Sequence, residues 1–344
     1  MKRKIALILA LLLAVALPFA ACKKNEEPEE NNGPKISEGL EYVSNGDGTC
    51  FVGGIGTCTD TDLLLPTASP AGDAVTGIGK EAFMDLMTLK SIDIPDSVIE
   101  IGDRAFLGCT ALKTIKIPSG ISAVGTDAFK DCSALQFNGY SNAAYLGNTE
   151  NPYLVLVKAA HDQIIGCNVH ENAKLICNSA FYGCASMKTL LISQSVKAIG
   201  NKAFYGCGAL KSVTLPSGLQ TIDDNLFNAC WSLESVEIPQ SVTEIGYAAF
   251  AFCTALRSFV IPSGVVSIGE RAFSNCTPLE NVTIPQSVTE IGDSAFSNCI
   301  FLKGITYPGT QAQWGAITKG ADWDSNAGKI EGYTIHCTDG NIVK

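Results

Sequence analysis

The sequence predicts a β-rich α/β solenoid built from coils of 23 residues, and three observations support this fold class. A phenylalanine returns every 23 residues within two runs, a cysteine follows it three positions later in all but the first copy, and IPQSVTEIG occurs twice, at 238–246 and 284–292. The phenylalanines are Phe83, Phe106, Phe129, Phe181, Phe204, Phe227, Phe250, Phe273 and Phe296. A fixed period of this length is typical of chains that stack copies of one unit to bury a common core.

The segment 233–255, LESVEIPQSVTEIGYAAFAFCTA, shows how one coil is expected to fold. Val236 and Ile238 alternate as the inward face of a short strand, and Pro239 ends that strand because proline cannot donate to a strand pair. A second short strand is expected to finish at Gly246.

The remainder of the coil is expected to be a short helix, because Ala249 and Cys253 have the four-residue spacing of one helical face. A glycine precedes this segment in most coils, and we expect it to adopt a positive φ. These glycines are Gly102, Gly125, Gly200, Gly246, Gly269 and Gly292. Asp223 at the same position tolerates a positive φ, whereas Cys177 is not explained by it.

The pattern LxxVxIPxSVxxIGxxAFxxC resembles the BspA-like leucine-rich repeat of bacterial surface proteins. The resemblance covers about residues 78–307 and departs from ordinary leucine-rich repeats by lacking the asparagine ladder after the strand. It implies a leucine-rich repeat solenoid and, for many members, adhesion to host or bacterial partners. It brings no catalytic residues with it, so we expect a protein that is not an enzyme.

The N-terminal residues predict export. Residues 1–21 carry Lys2, Arg3 and Lys4, an apolar run and small residues, as a signal peptide does. The ending Phe19-Ala20-Ala21-Cys22 resembles a bacterial lipobox, which implies a lipoprotein signal peptide and lipid attached to Cys22. The alternative is ordinary cleavage with an unmodified Cys22. Residues 22–37 are polar and charged and are expected to be a disordered tether.

Two caps are expected to flank the repeats. Residues 38–77 carry no 23-residue copy and predict an N-terminal β cap with a hairpin turn at NGDG. The repeats occupy 78–307, with a distorted segment at 136–175. Residues 308–344 predict a C-terminal β-hairpin cap with a turn at Asp339-Gly340.

The net charge weighs against one class of partner, and the cysteine spacing predicts the state of the thiols. The net charge is −10, and removing the three basic residues of segment 1–21 makes it −13, which weighs against a nucleic-acid partner. Most of the 14 cysteines fall on the repeat and are expected to be buried free thiols. At Cys253, serine is expected to destabilise more than alanine because of an unpaired hydroxyl. The state of Cys50, Cys58 and Cys337 is left open.

No motif predicts catalysis, a cofactor or a metal. His161, His170 and His336 are scattered, without a nucleophile and acid in a supporting pattern. Asp322 and Asp324 have the spacing of a calcium loop, but the turn glycine and the final bidentate acid of such a loop are missing. We therefore expect a solvated loop at this point.

Two surfaces are candidate binding sites. Outward positions of the first strands form a flat face, for which the candidate residues are Lys188, Leu191, Lys211, Thr214, Glu234, Glu237, Arg257 and Val260. Aromatic residues outside the core positions are expected to form an exposed patch, namely Tyr182, Tyr205, Trp231, Tyr247 and Phe252. The alternative for the patch is lateral packing between coils.

These observations predict a non-catalytic cell-surface protein that binds or adheres to a protein, either host matrix or another surface protein. Cys22, followed by lysines and then acidic residues, resembles surface-export signals of some Gram-negative lipoproteins. That resemblance implies a location at the outer membrane, exposed at the cell surface, with the lipid as the only membrane contact. A glycan-binding accessory lipoprotein of a polysaccharide uptake system is the alternative. A third, weaker possibility is a hydrolase with its active site in the caps.

Overall fold

Each coil consists of two short strands and a turn segment, because aliphatic residues alternate with polar ones on either side of a proline or serine turn. The computed structural model describes residues 35–344, of which Ile36–Lys344 form one compact unit. The predicted signal peptide, Cys22 and most of the predicted tether lie outside the described residues.

The strands follow the chain in four groups. The N-terminal part contains β1 (Glu41–Ser44), β2 (Thr49–Gly54), β3 (Asp62–Leu64), β4 (Ala74–Ile78), β5 (Ser91–Asp93), β6 (Glu100–Ile101), β7 (Thr114–Lys116) and β8 (Ala123–Val124). The interrupted region contains β9 (Asn138–Tyr140), β10 (Ala143–Leu146), β11 (Val155–Ala159), β12 (Gly166–Asn168) and β13 (Leu175–Ile176). The later coils contain β14 (Thr189–Leu191), β15 (Ala198–Ile199), β16 (Ser212–Thr214), β17 (Thr221–Ile222), β18 (Ser235–Glu237), β19 (Glu244–Ile245), β20 (Ser258–Val260), β21 (Ser267–Ile268), β22 (Asn281–Thr283), β23 (Glu290–Ile291) and β24 (Gly304–Thr306). The C-terminal part contains α1 (Gln311–Ala316), β25 (Thr318–Lys319), β26 (Thr334–Cys337) and β27 (Gly340–Val343).

Parallel pairing between successive coils produces two rows of strands. The first strands pair as β3-β5-β7, β12-β14, β16-β18 and β20-β22-β24-β26, with β27 added antiparallel. The second strands pair as β2-β4-β6-β8, β11-β13-β15 and β17-β19-β21-β23-β25. Partners such as Ser258 and Asn281 are one repeat apart, so the 23-residue period sets the register. This confirms the predicted solenoid.

The repeat phenylalanines stack face to face through the core. Successive ring centroids lie between 5.1 Å (Phe273–Phe296) and 5.8 Å (Phe181–Phe204) apart. The described buried apolar side chains form two clusters, which meet at the sheet β9-β10-β11-β13-β15. Leu175 belongs to the N-terminal cluster and Ile176 to the C-terminal one, so this sheet has a core on each face.

We call the eight cysteines that lie three residues after a repeat phenylalanine the ladder cysteines, and all eight are buried free thiols. Seven of them, all but Cys184, donate a hydrogen bond to a phenylalanine carbonyl of the preceding coil, a contact that was not predicted. The Cys253 thiol donates to the Phe227 carbonyl of the preceding coil at 3.3 Å, and Cys230 donates to the Phe204 carbonyl at 3.2 Å. A serine hydroxyl would meet the same acceptor, so the reason for expecting serine to be worse than alanine at 253 is wrong. Outside the ladder, Cys50 is buried, Cys58 and Cys337 are half-buried, and all three are free.

The segment after the second strand is a chain of turns and not the expected helix. Ala248 and Phe252 have φ values of 50° and 60°, in the left-handed region that interrupts a right-handed helix. This backbone aims alternate N–H groups at the next coil, where the Phe250 N–H donates to the Ala272 carbonyl at 2.8 Å. Bonding between coils therefore replaces bonding within a helix.

The glycine after the second strand is required by close approach, and the predicted positive φ is wrong. None of the glycines at this position has φ in the left-handed region. An added Cβ at Gly269 would lie 2.7 Å from the carbonyl carbon of Gly246 in the preceding coil. Asp223 carries a Cβ at this position, and there the second strands β15 and β17 are not paired.

A hairpin lies in each of the two terminal segments of the described chain, and each hairpin is joined to an additional coil. Hairpins β1-β2 and β26-β27 have the expected turns. Strands β3 and β4 form a coil that the repeat pattern missed, because nine residues, 65–73, join them where six residues, 94–99, join β5 and β6. At the other end Trp323 replaces the core phenylalanine after the short helix α1, which begins with a capping box at Thr310 and Gln313.

Candidate functional site

The candidate residues on the first strands are all exposed. In β16, Val213 is buried while Ser212 and Thr214 on either side face solvent, and β14 and β20 repeat this arrangement. The pleat therefore directs outward the four candidate residues that lie within strands, and the other four lie exposed at the residue before each strand. We call this surface the first-strand face. Its members are Lys188, Leu191, Lys211, Thr214, Glu234, Glu237, Arg257 and Val260.

Charged pairs between coils cross the first-strand face. Lys211 lies 3.3 Å from Glu234, and Glu280 pairs with both Arg257 at 3.4 Å and Lys303 at 2.8 Å. The hydrogen bond from Lys303 lowers the pKa of Glu280. Because these pairs are solvent-exposed they stabilise the fold little, which leaves them available for a partner.

Two aliphatic side chains project from this charged surface. Leu191 is 65% exposed and Val260 is 70% exposed. Neither contributes to the core. Aliphatic groups held on rigid strands among charges can be buried by a partner at low entropic cost.

A crevice opens the first-strand face between β14 and β16. These two strands are not paired, although their coils remain joined on the turn side, where the Phe204 N–H donates to the Leu226 carbonyl at 3.1 Å. The resulting cavity has a volume of about 220 Å³ and includes Lys188, Leu191 and Thr214 in its lining. Three of the predicted residues therefore meet at one concave point.

The predicted aromatic residues are brought together only in part. Tyr182 and Tyr205 stack with centroids 4.9 Å apart and planes at 11°. Trp231 covers Gly208 of the preceding coil, and the Arg271 guanidinium donates to the Tyr247 hydroxyl at 2.9 Å. In residues 35–344 no ring contact joins Trp231, Tyr247 or Phe252 to another member of the set. The rings pack laterally and also stay exposed, except Tyr205, which is half-buried.

A second aromatic cluster, missed in the sequence, lies in the interrupted region. Tyr153 stacks on His170 at 4.1 Å, and Tyr140 meets both rings edge-on. The hydroxyl of buried Tyr145 accepts a hydrogen bond from the backbone N–H of His170 at 3.1 Å, and burial raises the pKa of Tyr145 to about 12. The pairing of β9, β10 and β11 assembles this cluster from residues with no common spacing, so no periodic signal indicated it.

The loop with calcium-like spacing has a structural role. Asp324 accepts a hydrogen bond from the Tyr333 hydroxyl and lies 3.0 Å from the Lys344 ammonium. Across the described part of the chain, no group of three or more His, Cys, Asp or Glu side chains is arranged to hold a metal ion. The same residues contain no helix long and apolar enough to span a bilayer.

A family model for the BspA type leucine-rich repeat region matches six copies, at residues 73–149 and 174–303. These ranges cover more than half of the chain. The chain belongs to the BspA-type leucine-rich repeat family. The stretch left between the two matched ranges contains β11 and β12, where this BspA-type repeat protein departs from the repeat.

Several bacterial leucine-rich repeat proteins are among the solved structures to which the chain is similar. One from Bacteroides ovatus is 24% identical, with 85% of this chain and 80% of that chain covered and a TM-score of 0.43. One from Eubacterium ventriosum is 19% identical, with 85% and 93% covered and a TM-score of 0.47. The T. pallidum leucine-rich repeat protein is 24% identical, with 65% and 91% covered and a TM-score of 0.35. No curated protein matches the chain by sequence. Leucine-rich repeat solenoids of this family are generally non-catalytic.

Proposed function

We propose that this BspA-type repeat protein is a non-catalytic binding protein that recognises a protein partner through its first-strand face. The observation that carries the proposal is the exposure of Leu191 and Val260 on rigid strands, beside charged side chains and the crevice between β14 and β16. Exposed apolar side chains that a partner can bury, bordered by charged groups, are the kind of contact on which a protein interface depends.

The size of the first-strand face fits such a partner. Strands about 4.8 Å apart make the row from β3 to β27 roughly 50 Å long. A stable interface needs about 800 Å² from each partner. Only part of the row is therefore required, and the four coils that carry the candidate residues form its central portion.

Glycan binding is the second candidate, and the stacked Tyr182–Tyr205 pair is the observation that favours it. Exposed rings are suited to stacking on the apolar face of a sugar. The cluster of Tyr140, Tyr153 and His170 is a further platform of this kind.

An array carrying host matrix proteins, bacterial surface proteins and glycans, exposed to the full chain, separates the two candidates. The protein proposal requires capture of a protein that is weakened by Leu191→Asp and unaffected by Tyr182→Ala. Capture of a glycan alone, lost with Tyr182→Ala, would replace it with the second candidate.

We further propose export and anchoring at the surface of the outer membrane through lipid on Cys22. Cys22→Ala is expected to leave the chain without lipid mass and to move it from the membrane fraction to the soluble fraction. Mass spectrometry and fractionation measure both properties. An unchanged mass and distribution would contradict the anchor.

A further inference from the structure

One set of backbone hydrogen bonds between the turn segments of successive coils is absent; we call each such set a rung. In each coil, three alternate N–H groups of the turn segment donate to carbonyls of the next coil. The N–H groups of Arg104, Phe106 and Gly108 donate to the carbonyls of Thr126, Ala128 and Lys130, each at 2.9 Å. The other stacked coils repeat this triplet, up to the last one, where Ser294, Phe296 and Asn298 donate to Ala321, Trp323 and Ser325.

The coil of Phe129 has no such neighbour. The chain that follows it forms β9, β10 and β11 but no turn segment, because the spacing from Phe129 to Phe181 is 52 residues. The N–H groups of Asp127, Phe129 and Asp131 consequently have no hydrogen-bond acceptor among residues 35–344. The Phe129 ring stacks on Phe106 at 5.7 Å and has no repeat phenylalanine on its other side.

A cavity of about 340 Å³ occupies the place of the absent rung. The backbone from Asp127 to Asp131 forms one wall, Val157 and Lys158 form a second, and residues 177–179 form the third. The Asn178 side-chain amide donates to the Thr126 hydroxyl at 3.1 Å and spans the gap at one end. We call this cavity the rung slot.

The rung slot offers the recognition chemistry of an unpaired strand edge. Three parallel N–H donors on alternate residues match the carbonyl groups of an extended peptide, which face one side at every second residue. A row of unpaired N–H groups is a template to which the backbone of another chain can pair. Phe129 and Val157 add apolar surface, and Lys130 and Lys158 stand exposed at the rim.

We propose that the rung slot binds a short extended segment of a protein partner, which supplies the missing rung. Its alternate carbonyls accept from the N–H groups of Asp127, Phe129 and Asp131, and an apolar side chain packs against Phe129 and Val157. The proposal rests on the proposed function in that the partner is a protein, but it uses a different surface from the first-strand face.

The test starts from a displayed library of random linear heptapeptides panned against the purified full chain. Enriched peptides are synthesised with a fluorescent label, and their affinities are measured for the wild type and for variants. Val157→Trp fills the rung slot. Lys158→Trp obstructs the rung slot from its exposed rim. This second variant keeps the test valid if Val157→Trp fails to fold. Val266→Trp, an exposed valine far along the chain, is the matched control.

We expect each slot variant to weaken peptide binding at least tenfold and the control to leave it unchanged. Hydrogen exchange provides a second readout. In the free protein the amides of Asp127, Phe129 and Asp131 should exchange at least tenfold faster than those of Arg104, Phe106 and Gly108, and peptide should slow them.

The proposal is overturned if no peptide is enriched, if enriched peptides bind both slot variants normally, or if the three amides are already slow in the free protein. None of these outcomes affects capture through the first-strand face, and failure of that face would leave slot binding intact. The two proposals therefore fail separately.

Discussion

At the scale of single residues, the thiol ladder makes stability depend on pH. Burial raises the pKa of Cys230 and of Cys276 to about 12, whereas an unfolded thiol has a pKa of about 8.5. The folded chain therefore keeps these protons while the unfolded chain loses them above about pH 9. The contribution is fully present below the unfolded pKa and is lost as pH rises toward the folded one.

Replacing Cys230 and Cys276 together with alanine should make the loss of stability with pH less steep. Each thiol accounts for about 1.4 kcal/mol per pH unit between about pH 9 and 11, so the double variant should lose about 2.7 kcal/mol per unit less than the wild type. Urea unfolding at pH 8, 9, 10 and 11 measures this slope. Equal slopes for the two proteins would show that the thiols ionise alike in both states.

At the scale of the coil, the glycine after the second strand should tolerate a side chain poorly where its backbone approaches that of the preceding coil. Gly269→Ala places a Cβ against the backbone of the preceding coil and should cost roughly 1–3 kcal/mol of unfolding free energy. Gly218→Ala is the control, because its Cβ would first meet the flexible end of Lys197 at 3.4 Å. Thermal unfolding compares them, and equal costs would refute the close-approach explanation.

The sequence predicts the coils well where the period holds, because Phe250 or Cys253 can occupy the core only if every neighbouring coil has the same length. It fails where that length changes. The step from Phe296 to Trp323 is 27 residues and conceals a coil. The helix α1 was not predicted, because no repeat marks it and its only sequence signal is the capping box at Thr310 and Gln313. The turn segment was predicted to be a helix because the spacing of its buried side chains is helical. That spacing does not reveal which residues have a positive φ.

The candidate sites were also predictable only where the repeat period holds. The first-strand face follows from the alternation of side chains along a strand, so residues such as Leu191 and Val260 are predicted from their position within the repeat. The cluster of Tyr140, Tyr153 and His170 depends on how β9, β10 and β11 pair across the interruption. The rung slot depends on a turn segment that the chain omits, which no residue marks.

At the scale of the whole molecule, the solenoid separates stability from recognition. Phenylalanine and cysteine fill the interior, while the sheet β9-β10-β11-β13-β15 divides it into two cores and leaves one rung open. The first-strand face carries no core residue, so it is free to vary without loss of fold. A change on this face should therefore alter binding and leave stability unaffected.

The most direct measurement is the affinity of the captured protein partner for the double variant Leu191→Asp/Val260→Asp, beside Val266→Asp as an exposed control on another surface. We expect the double variant to bind at least tenfold more weakly, with an unchanged thermal unfolding midpoint, because two desolvated apolar contacts are replaced by charges. The control should bind as the wild type does. Wild-type affinity in the double variant would contradict recognition through the first-strand face.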